Sequence, residues 1–254
     1  MAMKNWDHLV HYVNELDKPV EIFRKNGLVA FRGGSHKEWG TFNTLSYFGL
    51  TYIEFLGIEN LELAKATEHN RVVKDAVDAL PEHEVLSRVV IRTDDIEEMA
   101  ASLEAAGLTL SPIMNGKRLD NKGRLIEWRM MTIDGDFQGL VYPFIIQWKG
   151  TDAERLEGLT TSGIIQPHPA GNAEIIRAVF RVSDPAATAE HWADIFQLSA
   201  AESKVPTVSL KIGDKFFDFV KGDENQFKQV IVETDSIKLK GKTIRVGAGE
   251  YIFT

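Results

Sequence analysis

Apolar and polar positions alternate with a period of two along "WDHLVHYV", residues 6–13, as in a strand with one face buried. The next stretch, "NELDKPVEIFRKNG", sets Leu16, Val20 and Phe23 at helical spacing and stops at Asn26-Gly27, which predicts a short amphipathic helix. Three strand-like stretches follow: "LVAFRGG", "WGTFNTLSYF" and "TYIEFLGI". The order is one strand, one helix and three strands.

That order recurs from residue 85. "VLSRVVIRT" reads as a strand of branched side chains, and "DDIEEMAASLEAAG" as a helix with an Asp cap, an acidic first turn and a stop at Gly107. "LTLSPIMNGKRL" and "RLIEWRMMTI" flank "DNKG", where Asp120, Asn121 and Gly123 suit a tight reversal, and "LVYPFIIQW" closes the unit. A weaker third copy runs through "AEIIRAVFRVSD", the helix "DPAATAEHWADIFQL", and the strands "TVSLKIG" and "KFFDFVKG". "QFKQVIVETD" and "KTIRVGAGEYIF" read as strands of a fourth copy without its helix. The expected fold is α+β, built from paired βαβββ modules. Modules 5–60 and 85–150, joined by a helical stretch 61–84 that Pro81 ends, form an N-terminal domain over residues 1–150. Residues 151–172 carry few helix or strand signals and read as a linker, and 173–254 as a degenerate C-terminal pair.

Composition narrows the chemistry. The 254 residues are 44% apolar and 26% charged, enough for a sizeable core and incompatible with a disordered chain. A net charge of -8, with no dense run of Lys and Arg, argues against a nucleic-acid partner. With no long apolar run and no charged leader in "MAMKNWDHLV", the protein is expected to be soluble and cytoplasmic, with no membrane partner. There is no cysteine, so disulfides, thiolate catalysis and Cys-ligated metals are excluded. Any metal has to use His, Asp, Glu or amide ligands.

"DHLVHYV" opening the first unit, "TYIEFLG" closing it, and the segments "GGSHKEWGTFNTL", "RLIEWRMM" and "YPFIIQW" together resemble the glyoxalase-like branch of the vicinal oxygen chelate superfamily, over residues 5 to 150. The resemblance implies curved mixed sheets around a cleft in which a divalent metal chelates two neighbouring oxygens of a substrate. Alternation puts His8, Val10 and Tyr12 on one strand face and Tyr52, Glu54 and Leu56 on another. In the family pattern these faces line the cleft, with His8 and Glu54 at ligand positions. Such N and O donors suit manganese, iron(II), zinc or nickel. No organic cofactor is indicated.

The second unit departs from the pattern: Arg88 falls where His8 stands, Arg92 where Tyr12 stands, and Gln147 is laid on Glu54. Three arrangements stay open. His36, expected in a loop, supplies a third ligand and shares catalysis with Glu54, with Gln147 or water completing the shell. Alternatively Arg88 and Arg92 take the carboxylate or phosphate of an anionic substrate. In the third, no metal binds and Glu54 pairs with Arg88.

Trp39, Asn43 and Tyr12 join Arg88, Arg92 and Gln147 as expected substrate contacts, while Glu127 and Arg129 read as a solvated edge with Trp128 opposite. His11 should point away from His8, and His69, His83, His168 and His191 read as surface. Asp218 echoes Glu54, but Ala178 is read at the matching His position. The function expected is a metal-dependent lyase, isomerase or dioxygenase acting on a small oxygenated compound, an anionic one where Arg88 and Arg92 hold it; the alternative is a metal-free small-molecule binding or sequestering protein. Paired units in one chain remove the need for a homodimer without forbidding one.

Overall fold

The computed structural model describes residues 2–119, 123–202 and 206–254. The first unit is β1 (Lys4–Tyr12), α1 (Asp17–Lys25), β2 (Phe31–His36), β3 (Thr41–Phe48) and β4 (Thr51–Ile58). Helix α1 stops at Asn26 and Gly27. The helical stretch between the units is two helices, α2 (Leu61–Lys65) and α3 (Arg71–Ala79), because Asn60 and Asn70 each cap a new start. The second unit is β5 (Leu86–Thr93), α4 (Ile96–Ala105), β6 (Met114–Leu119), β7 (Leu125–Met131), the small hairpin β8 (Asp136–Phe137) and β9 (Leu140–Val141), and β10 (Phe144–Trp148). The reversal expected at Asp120 and Asn121 lies outside the described residues.

The stretch 151–172 departs from the expectation of a linker without helix. Helix α5 (Asp152–Thr161) fills its first half, started by a capping box in which the Thr151 and Glu154 side chains bond each other's backbone N–H. The chain then runs β11 (Ala173–Val182), α6 (Pro185–Phe196), β12 (Ser199–Ala201), β13 (Val208–Ile212), β14 (Lys215–Lys221), β15 (Gln226–Thr234), β16 (Thr243–Val246) and β17 (Gly249–Phe253). No helix separates β15 from β16, as the pattern of the fourth copy predicts.

The architecture is mixed α+β with two large curved sheets. The first has the strand order β2-β3-β4-β1-β5-β10-β7-β6, the second β12-β13-β14-β11-β15-β17-β16. Units join edge to edge through antiparallel pairs, β1 with β5 and β11 with β15. In the first sheet the far edges approach each other, so that a Cβ on Gly34 of β2 would lie 2.5 Å from the Leu119 carbonyl of β6. The sheet therefore curls almost into a barrel.

One apolar core runs through both halves. Trp6, Phe23 and Phe55 of the first half pack with Phe217, Trp192 and Tyr251 of the second; Trp6 meets Phe217 edge-on at 5.6 Å and Phe23 meets Tyr251 at 5.5 Å. His11 is buried at this junction, its Nδ1 hydrogen-bonded to the Tyr251 hydroxyl at 2.7 Å. It points away from His8, as alternation predicts. Among the described residues, no helix is long and apolar enough to cross a membrane.

Candidate functional site

The concave face of the first sheet encloses a cleft whose inner cavity is about 50 Å³. Parallel pairing of β1 with β4 sets His8 opposite Tyr52 and Val10 opposite Glu54. His8, Tyr52 and Glu54 all line the cavity. Glu54 is only 9% exposed, yet each of its oxygens has a polar neighbour. Asn43 Nδ2 donates to Oε1 at 2.6 Å, His8 Nε2 stands 3.5 Å from Oε2, and His36 Nε2 stands 3.9 Å from Oε1. Burial alone would push the Glu54 carboxyl up; the hydrogen bond and charge of His8, with help from His36 and Asn43, hold it down at about 2.

Sequence features around this carboxylate now have physical reasons. His36 is the last residue of β2 rather than a loop residue, and its Nδ1 is hydrogen-bonded to the Thr41 hydroxyl at 2.9 Å across the β2–β3 turn. The Asn43 amide approaches His36 Nε2 at 3.4 Å, which requires a lone pair on Nε2 and the proton on Nδ1. Desolvation lowers the His36 pKa to about 4, so this ring is neutral near pH 7. Gly33 makes room for Asn43: a Cβ there would lie 2.2 Å from Asn43 Oδ1.

Behind His8 lies Asp7, which the alternation pattern places on the wrong face. The β1–β5 register slips between Trp6 and His8, a bulge that lets neighbouring side chains meet on one side. Asp7 is fully buried and accepts from His8 Nδ1 at 2.6 Å, Arg92 at 2.9 Å, Trp148 Nε1 at 3.0 Å and Arg155 at 3.0 Å. Burial opposes its ionisation, but Arg155, His8 and Arg92 outweigh that and hold it well below the usual carboxylate range. Burial likewise opposes protonation of His8, and the bonds to Asp7 and Glu54 overcome it and raise the His8 pKa. A carboxylate on Nδ1 fixes the ring and aims Nε2 into the cleft.

Aromatic side chains wall the cleft. Trp39, Trp128 and Trp148 line it in a chain, with ring separations of 6.2 Å and 5.8 Å, and His36 lies 5.7 Å from Trp128. Trp128 lies across Gly116, where a Cβ would come within 2.2 Å of the indole. Val72 and Val73 of α3 cover the end nearest the second unit.

Four expected contacts are elsewhere. Arg88 occupies the counterpart position of His8 in β5, but it is 2% exposed and pairs with Asp75 of α3, bonding the Tyr142 carbonyl as well. It pairs neither with Glu54 nor with the cavity. The Tyr12 hydroxyl donates to the Val72 carbonyl at 2.7 Å, so α3 covers it too. Arg92 is held by Asp7 and Asp152 on the far side of the site. Gln147 donates to the Asp94 carbonyl and accepts from Arg129, outside the cavity. The residue matching Glu54 is Phe144, because β10 pairs Phe144 with Val90 as β4 pairs Glu54 with Val10. Trp39 and Asn43 do line the cleft, and Arg118, which pattern reading passed over, lines it as well.

In the second sheet the β11–β14 register puts Arg177, not Ala178, in the place of His8, opposite Phe216, with Asp218 opposite Val179. A bulge between Ile175 and Arg177 repeats the one at Asp7. His69 and His83 are exposed as expected, whereas His168 and His191 are half-buried. His168 accepts from the Val29 N–H at 3.0 Å, and His191 is bonded to the Tyr142 hydroxyl at 2.7 Å and stacked on Phe137.

The donors at the cleft floor suit a first-row divalent ion in kind: the His36 imidazole with an inward lone pair, the His8 imidazole once it has released its proton, and one carboxylate. Bonds of about 2.0–2.2 Å to one ion would put neighbouring donors roughly 3.0–3.6 Å apart, close to the separations from Glu54 to His8 and His36. As they stand, among the described residues, no three His, Asp or Glu side chains are arranged to hold an ion, since Glu54 is engaged by Asn43 and His8. The donor set fits, and Asn43 has to yield for it to be used.

The solved structures that resemble the chain share its fold. A hypothetical protein from Staphylococcus aureus matches with a TM-score of 0.86 at 23% identity, over 99% of each chain. A mutant of 4-hydroxymandelate synthase from Streptomyces coelicolor matches at 0.56 and 11% identity over 93% of this chain and 73% of that one. The Mn(II)-bound glyoxalase from Novosphingobium aromaticivorans matches at 0.53 and 10% over 94% and 68%. No curated protein matches the chain. The family model described as "Glyoxalase-like domain" matches residues 6–196, through the first sheet and on into α6, and the chain therefore belongs to the glyoxalase-like domain family.

Proposed function

We propose that the protein is a metal-dependent enzyme, a lyase, isomerase or dioxygenase acting on a small compound with neighbouring oxygens. The observation that carries this reading is the convergence of His8 and His36 Nε2 on the Glu54 carboxylate at 3.5 Å and 3.9 Å. His8, Glu54 and His36 would hold the ion, and a bound divalent ion would polarise the oxygens of the substrate and stabilise negative charge that develops on them. Asp7 keeps the His8 ring oriented. His36, neutral at pH 7, presents a lone pair that serves as ligand or proton acceptor. Trp39, Trp128 and Trp148 wall the cleft with apolar surface that excludes water.

The mutual engagement of His8, Glu54 and Asn43 favours a second reading, a metal-free pocket that binds or sequesters a small molecule. Elemental analysis of untagged protein, with thermal shifts in manganese, iron(II), zinc, nickel and EDTA, separates the two. The enzyme reading expects a near-stoichiometric ion, stabilisation by added metal, and loss of both in Glu54→Gln. No ion and no shift would leave the binding reading.

A further inference from the structure

We infer that Arg118 forms an anion-binding subsite at the mouth of the cleft, taking the carboxylate of a small organic acid. This rests on the assignment of the cleft as the binding site and does not require a metal.

The arginines that pattern reading offered for this task are already neutralised. Arg88 is paired with Asp75, and Arg92 with Asp7 and Asp152. Arg155, which stacks 4.4 Å over Trp148, is paired with Asp7 as well. On the outer edge Arg129 is paired with Glu97. Arg118 differs from them. Its Nη1 donates to the Gly33 carbonyl at 2.9 Å, and among the described residues no carboxylate pairs with it. A neutral carbonyl fixes one edge of the guanidinium and leaves its charge uncompensated, with further N–H donors for a bidentate oxyanion.

Position makes that charge useful. Arg118 lines the inner cavity, and it also lines two adjoining hollows of about 370 Å³ and 390 Å³ that open outward from it. A ligand that reaches from either hollow into the inner cavity lies against the guanidinium they share. One whose acid group stops at Arg118 places its remaining atoms among Trp39, Trp128 and Leu45, towards His36 and Glu54.

The test follows the indole N–H resonances of the cleft tryptophans in ¹⁵N-labelled protein with EDTA. Propionate is titrated against propionamide, its uncharged isostere, with inorganic phosphate as a third probe. Propionate is expected to bind about tenfold or more tightly than propionamide. Arg118→Gln removes the difference and Arg118→Lys retains part of it. Phosphate competing with propionate extends the subsite to oxyanions generally; phosphate without effect restricts it to carboxylates, and both support the assignment. Equal affinity for acid and amide, no response to either, or a preference that survives Arg118→Gln overturns it. Repeating the titration on Glu54→Gln, beside elemental analysis of the parent, separates the two readings: a preference that persists in the variant while the parent itself takes up no metal keeps Arg118 and rejects the metal, and a preference lost in the variant with Arg118 intact rejects Arg118.

Discussion

Arg177 stands to Asp218 in the second sheet as His8 stands to Glu54 in the first. The guanidinium reaches both oxygens of Asp218, at 3.0 Å and 3.2 Å, and Ser209 donates to the same carboxylate at 2.6 Å. Arg177 is a third exposed, so the pair is only partly desolvated. Arg177→Met is expected to cost up to about 1 kcal/mol and to leave metal uptake unchanged, whereas His8→Ala abolishes uptake. Urea denaturation with elemental analysis checks both, and a dependence of metal content on Arg177 would contradict the assignment to the first sheet.

Asp7 compensates two arginines in a buried site. Asp7→Asn leaves both short of a counter-charge and is expected to cost roughly 3–5 kcal/mol. An NMR titration of the variant should also find the His8 pKa lower than in the parent. A loss below 1 kcal/mol would mean that Asp152 and solvent suffice for Arg92.

Arg88 and Asp75 call for a paired substitution. Breaking the pair with Asp75→Asn should destabilise by about 3 kcal/mol or more, whereas Arg88→Met with Asp75→Leu should come close to the parent. The double variant is also expected to bind propionate as the parent does. Loss of binding there would return Arg88 to the ligand site.

Acid sensitivity has a definite sign. His11, His36 and His168 are held by burial at about 3, about 4 and about 4. An unfolded histidine takes a proton near 6.5. Their contribution to stability is therefore complete above pH 6.5 and is lost as pH falls towards 3–4, at about 1.4 kcal/mol per pH unit for each proton. His8, raised by its partners, works the other way: its contribution is present below 6.5 and is lost as pH rises through its folded value. Glu54, held at about 2, adds to the acid loss below 4.5. The urea midpoint should fall from pH 7 to pH 5, and His11→Gln should flatten that slope; a midpoint that rises instead would contradict the neutral state of the buried rings.

Metal affinity should depend on pH through His8. An ion displaces the proton that Asp7 and Glu54 stabilise there. Affinity is expected to keep rising with pH above 6.5 and to level off once His8 is neutral. Calorimetry in buffers of different ionisation enthalpy should register proton release, and none at pH 7 would place His8 outside the ligand set.

Much of this site was legible because strands alternate. His8 and Glu54 occur where a period of two puts them, and the repeat was visible as two full copies of one element order, a weaker third and a fourth without its helix. Asp7 was hidden because a bulge breaks the period locally. Gln147 was matched to Glu54 on polarity, but the true counterpart is apolar Phe144, and only the β5–β10 register reveals it. Arg88 sat at the expected position with a partner from an inter-unit helix that no local pattern predicts. Helix α5 did carry a signal: Thr151 three residues before Glu154, ahead of Leu156 and Leu159, is a capping box.

Strand β1 is a partition with a different tenant on each side. His8, Val10 and Tyr12 face the cleft and its covering helix, while Trp6, Leu9 and Val13 face the core shared with the second sheet. A change at Phe217 or Tyr251 therefore presses on the back of the strand that carries His8, at Trp6 and His11, two and three residues away from the imidazole. The C-terminal half, whose own polar pair is Arg177 with Asp218, is the foundation on which the ligand positions stand, and drift in that foundation would be felt as a misplaced histidine before it was felt as an unfolded protein.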